Sequence, residues 1–207
     1  MTGIKGAEYS WCWKYKVRDR IDASLYDKVL FLDADCLVLQ NIDQLLEGDW
    51  DIAYQPEAGA NIDLPQFSCF LSDEERATLK RPGVNSGTVA VKGTIFNEVM
   101  REWERIDGTE PPQVRLCSDQ GSWNRLLLDH TAAGLYPGTA KWRAQPFEPG
   151  AVQFPLYLEP NYTSYRKASV VHCLGGDTRV KLKFMFGVYM STFFFDDSST
   201  MLNLLEM

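Results

Sequence analysis

The sequence predicts an α/β protein, and two features of its patterning support that prediction. Short, continuous apolar runs, typical of strands buried on both faces, occur at 28–32, 88–91 and 170–172. Predicted helices alternate with them, one at 94–106, where apolar residues recur at helical spacing, and one at 119–129 after Ser118. A chain of 207 residues, 45% of them apolar, can bury a substantial core within one domain.

The remaining elements are predicted from the same patterns. Before the first strand, Trp11, Tyr15, Arg18 and Ile21 recur roughly at helical spacing and predict a helix. After that strand, Asn41 is placed to cap a helical turn. The other predicted elements are a strand at 52–55, a short acidic helix at 72–79, a Thr94 cap on the helix that ends near Asp107, a Ser118 cap on the next helix, an irregular connection over 134–160, and a helical tail after 181.

Composition excludes several classes of function. A formal charge of −7 without any basic run argues against nucleic-acid binding. The five cysteines are scattered, odd in number and form no C-x-x-C pair, so a zinc ribbon or a disulfide framework is not expected. Reduced thiols, with no visible signal peptide or membrane span, predict a cytoplasmic location.

The most informative segment is YDKVLFLDADCLVLQNIDQLLE, residues 26–47. Its apolar run ends on Asp33 and Asp35, at the carboxyl end of a strand, where α/β proteins place ligands. In an extended chain, residues two apart point the same way, so both carboxylates could face one hard cation such as Mg²⁺ or Mn²⁺. The alternative is that these acids cap the following turn and face solvent.

Three further segments carry polar groups at the ends of elements, and each also has a purely structural explanation. Asn85 and Ser86 precede a buried strand, where turn chemistry would also place them. Asp119 and Gln120 open a helix, where an acid is also favoured by the helix dipole. His172 ends the run VVH and is followed by CLGG, in which glycines could let the backbone approach a phosphate.

In their order along the chain, the D-x-D segment, VNSG, SDQG and VVHCLG resemble glycosyltransferases of the GT-A fold, closest to the glycogenin-like family 8 and its bacterial relatives. The resemblance extends over roughly residues 14–183. It implies a mostly parallel sheet flanked by helices. It also implies metal-dependent, retaining transfer of a hexose from a UDP-sugar to a carbohydrate, lipid or protein acceptor.

The resemblance also implies roles for individual residues. Asp35 and His172 would ligate Mn²⁺ or Mg²⁺, and Asp33 would join them or hold the ribose. Gly175 would offer its backbone to the diphosphate. The donor-sugar and acceptor pocket would contain Asn85, Ser86, Asp119 and Gln120, with Asp119 and Gln120 as the catalytic residues. Basic residues that could contact the donor are Lys14 or Lys16 before the first strand, and Arg179, Lys181 or Lys183 after the histidine.

The chain departs from the family at its start. Family members place βαβ units before the D-x-D strand, whereas only ~25 residues precede it here, fewer than one such unit needs. We therefore expect an N-terminally incomplete single domain, 1–207. Its parts would be a helix over 1–24, a D-x-D core over 25–183 and a helical tail over 184–207. A parallel sheet cut at that point would expose a strand edge and favour a homo-oligomer.

Two other hypotheses remain open at this stage. The D-x-D strand also resembles the first motif of haloacid-dehalogenase-like phosphatases, with Asp33 as nucleophile, Asp35 as acid–base and Asp196 or Asp197 in the last acidic motif. Hydrolysis of p-nitrophenyl phosphate would distinguish that enzyme. Alternatively, the chain is a truncated or degenerate glycosyltransferase-like module without turnover.

Overall fold

The computed structural model describes residues 10–109, 119–131, 140–155, 162–174 and 177–194. The chain divides into two compact units. Unit 1 comprises Met1–Leu30 and Gly48–Pro146, and unit 2 comprises Phe31–Glu47 and Phe147–Met207. Both units combine strands with helices, which confirms the α/β class. The predicted single domain with boundaries at 24 and 183 stays a prediction.

Unit 1 is built on a four-stranded sheet in the order β1-β4-β3-β5. β3 pairs antiparallel with β4, with Ile52 opposite Val91, and parallel with β5, with Ile52 opposite Ala144. β4 is buried along almost its whole length: it contains the predicted strand over 88–91, but it also includes the Asn85–Gly87 segment that the sequence predicts as a turn. The strands are β1 (Lys28–Leu32, whose last two residues belong to unit 2), β3 (Ile52–Asn61), β4 (Pro82–Lys92) and β5 (Ala144–Pro146).

The helices of unit 1 pack aromatic side chains into its core. The indole rings of Trp103 and Trp123 lie 4.7 Å apart between centroids, and both side chains are buried. A 3₁₀ helix occupies Ser10–Asp19, where the sequence predicted a helix. The other helices are a 3₁₀ turn at Ala23–Leu25, α1 (Pro65–Ser68), α2 (Asp73–Thr78), α3 (Gly93–Asp107) and α4 (Asp119–His130).

The start of α3 differs from the prediction, because Thr94 does not cap it. The helix begins one residue earlier, at Gly93, and its N-cap residue Lys92 makes no side-chain capping bond. The Gly93 N–H donates instead to the Asp27 carbonyl over 2.8 Å. A Cβ at Gly93 would lie 1.9 Å from the Tyr26 carbonyl oxygen, so this close approach requires glycine.

Unit 2 contains a three-stranded sheet in the order β2-β7-β6. Its strands are β2 (Cys36–Val38), β6 (Val152–Gln153) and β7 (Val170–His172), and its helices are 3₁₀ turns at Asp43–Leu45 and Tyr162–Tyr165 and the longer α5 (Thr178–Phe193). Phe184 of α5 packs in a small core with Leu39 and Val171. Asn41 Oδ1 accepts a 2.9 Å hydrogen bond from the Asp43 N–H at the start of the 3₁₀ turn, but the N-cap position itself is taken by Ile42 rather than by the predicted Asn41.

Both sheets are mixed, with parallel and antiparallel strand pairs. β2 pairs antiparallel with β7, as β3 does with β4, whereas β6–β7 and β3–β5 are parallel. Between β3 and β4 lie only α1 and α2, of 4 and 6 residues. A six-residue helix rises about 9 Å, whereas a ten-residue strand is about 33 Å long. Neither helix therefore forms the crossover helix of a βαβ unit.

Within the described ranges, every helix is too short or too polar to cross a bilayer.

Candidate functional site

The D-x-D segment forms a turn rather than the extended chain that the sequence suggested. After β1 ends at Leu32, the Cys36 N–H donates to the Asp33 carbonyl over 3.0 Å and closes the turn 33–36. β2 begins at Cys36, directly after the turn. The two carboxylates are therefore positioned by a hydrogen-bonded turn and not by strand alternation.

The two carboxylates nevertheless converge on one imidazole in unit 2. His172, at the end of β7 and only 2% exposed, places Nε2 3.0 Å from Asp35 Oδ1 and 3.8 Å from Asp33 Oδ2. The antiparallel register sets Cys36 opposite His172. The Cys173 N–H donates to the Asp35 carbonyl over 2.9 Å and ties the turn to β7. The aspartates of the D-x-D motif and the histidine of the VVH motif thus lie together, as the resemblance implies.

A lysine of α5 adds a positive charge to this cluster. Lys181 Nζ lies 2.5 Å from Asp35 Oδ2. Burial raises the pKa of Asp35, but hydrogen bonds from His172 and Lys181 and their charges outweigh it and hold that pKa well below its ordinary range. Burial, reinforced by the Asp35 charge, raises the pKa of the neighbouring Cys173 thiol to about 12. Asp35 is therefore an anion in this site, and Cys173 is a neutral thiol.

The donor set suits a divalent cation. Neighbouring ligands of an octahedral ion at about 2.1 Å lie about 3 Å apart, similar to the separation of Asp35 Oδ1 and His172 Nε2. Potential ligand atoms of Asp35, Cys36 and His172 all lie within 4.8 Å of one another. The His172 ring packs 5.5 Å from that of Phe154, and in the described part of the chain its buried Nδ1 has no hydrogen-bond partner. These residues fit the metal that the resemblance implies.

A second cluster, in unit 1, brings together residues of the NSG and SDQG motifs. Ser86 Oγ, on β4, donates to Asp119 Oδ2, at the start of α4, over 2.6 Å. Lys14 Nζ lies 2.7 Å from the same carboxylate oxygen and 3.3 Å from Ser86 Oγ. The Lys14 and Asp119 side chains are only 11% and 4% exposed. The Asp119 carboxylate is thus buried against an ammonium group and a hydroxyl.

The amides beside this pair belong to one hydrogen-bond network. Asn85 Nδ2 lies 3.5 Å from Gln120 Oε1 and 3.3 Å from Glu57 Oε2. Asn124 fixes α4 to β4, because its amide accepts from the Val84 N–H over 2.9 Å and donates to the Val84 carbonyl over 2.8 Å. The predicted sugar-pocket residues therefore lie together in unit 1.

The remaining predicted residues are not part of either cluster. Lys16 pairs with Glu104 at the surface, with 46% of its side chain exposed. Gly175, Asp196 and Asp197 lie outside the described residues. Among the basic residues after the histidine, Lys181 is the one whose ion pair reaches Asp35. Their functional roles stay predictions.

Two residues gained significance only from the structure. In the sequence Cys36 is one of five scattered thiols, and its position next to Asp35 is the feature that could mark it as a metal ligand. Lys14 is an alternative to Lys16 in the sequence, where nothing indicates its pairing with Asp119.

No family model and no curated protein matches the sequence. Three solved structures align with the chain. The glycosyltransferase GlyE of Streptococcus pneumoniae TIGR4 has 17% identity and a TM-score of 0.49 over 92% of this chain and 45% of that chain, and its apo form has 16% identity and a TM-score of 0.48 over 97% and 46% of the two chains. The apo bifunctional glycosyltransferase WbbM has 12% identity and a TM-score of 0.49 over 85% of this chain and 35% of that chain. This chain thus spans less than half the length of each. At these identities and TM-scores the likeness is too distant to assign the family or the activity.

Proposed function

We propose that this chain belongs to a GT-A glycosyltransferase that transfers a hexose from a UDP-sugar to an acceptor, with metal dependence and retention of configuration. The observation that carries the proposal is the convergence of Asp33, Asp35 and the buried His172 in unit 2. Two carboxylates and an imidazole are a donor set for Mn²⁺ or Mg²⁺, and the ordered motifs around them resemble family 8. The proposed acceptor is a carbohydrate, lipid or protein.

The chemistry of sugar transfer accounts for this donor set. Breaking a sugar–phosphate bond releases a diphosphate whose growing charge must be stabilised. A bound divalent ion would supply Lewis-acid stabilisation of that leaving group. Asp33, Asp35 and His172 would hold the ion, and Lys181 Nζ, now 2.5 Å from Asp35, would donate to phosphate oxygens once the donor is bound.

We assign recognition of the sugar to the cluster in unit 1. The amides of Asn85 and Gln120 and the hydroxyl of Ser86 are groups that hydrogen-bond sugar hydroxyls. The Asp119 carboxylate could stabilise positive charge on the sugar in an oxocarbenium-like transition state. Its pairing with Lys14 keeps that carboxylate in a fixed position while buried. These roles rest on the family resemblance and on the hydrogen bonds within the cluster.

The test is calorimetric titration of the folded chain with UDP, in Mn²⁺ and again in EDTA. We expect binding that requires the metal, and Asp35→Asn should weaken it by at least about tenfold, since loss of even an outer partner of a metal ligand costs that much. The matched control is Asp43→Asn, which removes an exposed carboxylate of the same unit. Hydrolysis of UDP-glucose and UDP-galactose by the same samples would report turnover.

Two results would contradict the proposal. One is that the folded wild-type chain does not bind UDP in the presence of Mn²⁺. The other is that Asp35→Asn binds Mn²⁺ and UDP as tightly as Asp43→Asn. Metal-dependent binding without hydrolysis or transfer would instead favour the non-catalytic module.

A further inference from the structure

We infer that Asp35, Cys36 and His172 form a three-ligand site for a thiophilic divalent ion, zinc in the first place, in which Cys36 is the selective ligand. The inference rests on the proposed function in one respect, because it concerns the same metal centre. It adds the Cys36 sulfur to the carboxylate and imidazole ligands. With that sulfur present, zinc would compete with Mn²⁺ for the site.

The geometry of β2 and β7 brings the three ligands together. Cys36 follows Asp35 in the chain and lies opposite His172 in the antiparallel register. Residues directly opposite each other in such a pair have Cβ atoms about 5 Å apart on the same face of the sheet. Accordingly, one potential ligand atom from each of the three residues lies within 4.8 Å of the others.

The backbone around these ligands is already fixed. The Cys36 N–H is held by the Asp33 carbonyl at 3.0 Å, and the Asp35 carbonyl accepts from the Cys173 N–H at 2.9 Å. His172 is buried, with Nε2 directed at the carboxylates. An ion would therefore need only side-chain adjustments to reach an oxygen, a sulfur and a nitrogen.

That mixture of atoms determines which metal is favoured. Mn²⁺ and Mg²⁺ prefer oxygen ligands, whereas zinc binds thiolate, imidazole and carboxylate in one tetrahedral shell. Three protein ligands leave the fourth position open. For a given ligand set zinc also binds more tightly than Mn²⁺. The Cys36 thiol would release its proton to solvent as the ion binds. Zinc should therefore displace Mn²⁺ from these three residues.

Cobalt(II) is the probe for the experiment, because a thiolate ligand gives it a charge-transfer absorption that oxygen and nitrogen ligands do not. The folded wild-type chain, Cys36→Ser and a control, Cys69→Ala, would be titrated with Co²⁺ and then with zinc as competitor. Cys69 is a buried thiol of unit 1, whereas the three ligands belong to unit 2. Mn²⁺ affinity would be measured on the same three proteins.

We expect the absorption in wild type and Cys69→Ala and its loss in Cys36→Ser. Zinc affinity of Cys36→Ser should fall by at least about tenfold, while its Mn²⁺ affinity changes by less than about threefold. Cobalt binding without a thiolate band, or with a band that survives in Cys36→Ser, would overturn the role of Cys36 and leave the proposed glycosyltransferase site standing. Failure of the folded wild-type chain to bind either Co²⁺ or Mn²⁺ would overturn the proposed metal centre itself.

Discussion

Replacing Lys14 with methionine should lower the free energy of unfolding of unit 1 by about 3–5 kcal/mol. Lys14 Nζ lies 2.7 Å from Asp119 Oδ2, and the two side chains are 11% and 4% exposed. At that distance, an effective dielectric constant of about 20 gives an attraction of about 6 kcal/mol. The variant avoids the cost of burying an ammonium group, so the net loss is smaller than the attraction. Asp119 retains its hydrogen bond from Ser86.

The chain supplies both a control and a local reporter for this experiment. Lys16→Met removes an ion pair two residues further along the same 3₁₀ helix, but Lys16 and Glu104 are 46% and 32% exposed. Such a pair contributes at most about 1 kcal/mol. All six tryptophans belong to unit 1, so tryptophan fluorescence during urea unfolding follows that unit alone.

A double variant separates the ion pair from other effects of the substitution. Lys14→Met combined with Asp119→Asn removes both charges, and we expect it to be about 1–3 kcal/mol more stable than the sum of the single changes would give. The reasoning is refuted if Lys14→Met costs no more than Lys16→Met, or if the two single effects simply add.

Two further predictions concern the stability of unit 1. A hydrogen bond from Arg105, together with one from His130, lowers the pKa of Glu102 from 4.5 to about 2. The contribution of the Glu102 charge to the free energy of unfolding is therefore complete above pH 4.5 and is lost as the pH falls toward 2. Glu102→Gln should therefore cost about 1 kcal/mol at neutral pH and flatten the acid dependence of the urea midpoint; an unchanged pH profile would contradict this. Gly121→Ala should cost about 1–3 kcal/mol, because its Cβ would lie 2.0 Å from Cys69 Sγ, and adding Cys69→Ala should recover part of that loss. A wild-type urea midpoint for Gly121→Ala would show that the sulfur can move aside.

The parts of the fold that could be predicted are those in which local pattern and burial agree. β1 begins and ends where its apolar run does, and α3 buries the predicted face. The sequence predicts the meeting of Asp35 with His172 because each lies at the end of an apolar run and their motifs occur in the family order, although β1 is half-buried rather than buried on both faces. The chemical roles of these residues remain to be tested.

The parts that could not be predicted depend on contacts distant in sequence or on backbone details. A two-residue spacing of carboxylates does not distinguish a strand from a turn, and the turn at Asp33 depends on one hydrogen bond from Cys36. Lys14 and Lys16 are equivalent in a sequence pattern, but on a 3₁₀ helix, with three residues per turn, they point about 120° apart. Only the fold shows that Lys14 is the one that pairs with Asp119.

The two-segment construction of unit 2 has a consequence for the order of folding. The ion pair between Asp35 and Lys181 joins residues 146 positions apart, and most of unit 1 lies between them. At a synthesis rate of about 5–20 residues per second, the second half of this centre leaves the ribosome about 7–30 seconds after the first. Unit 1 is complete at Pro146, so its whole sheet can form about 2–7 seconds before Lys181 emerges. The proposed metal ligands should therefore assemble last, and an ion that binds them would stabilise the slowest contacts of the chain to form.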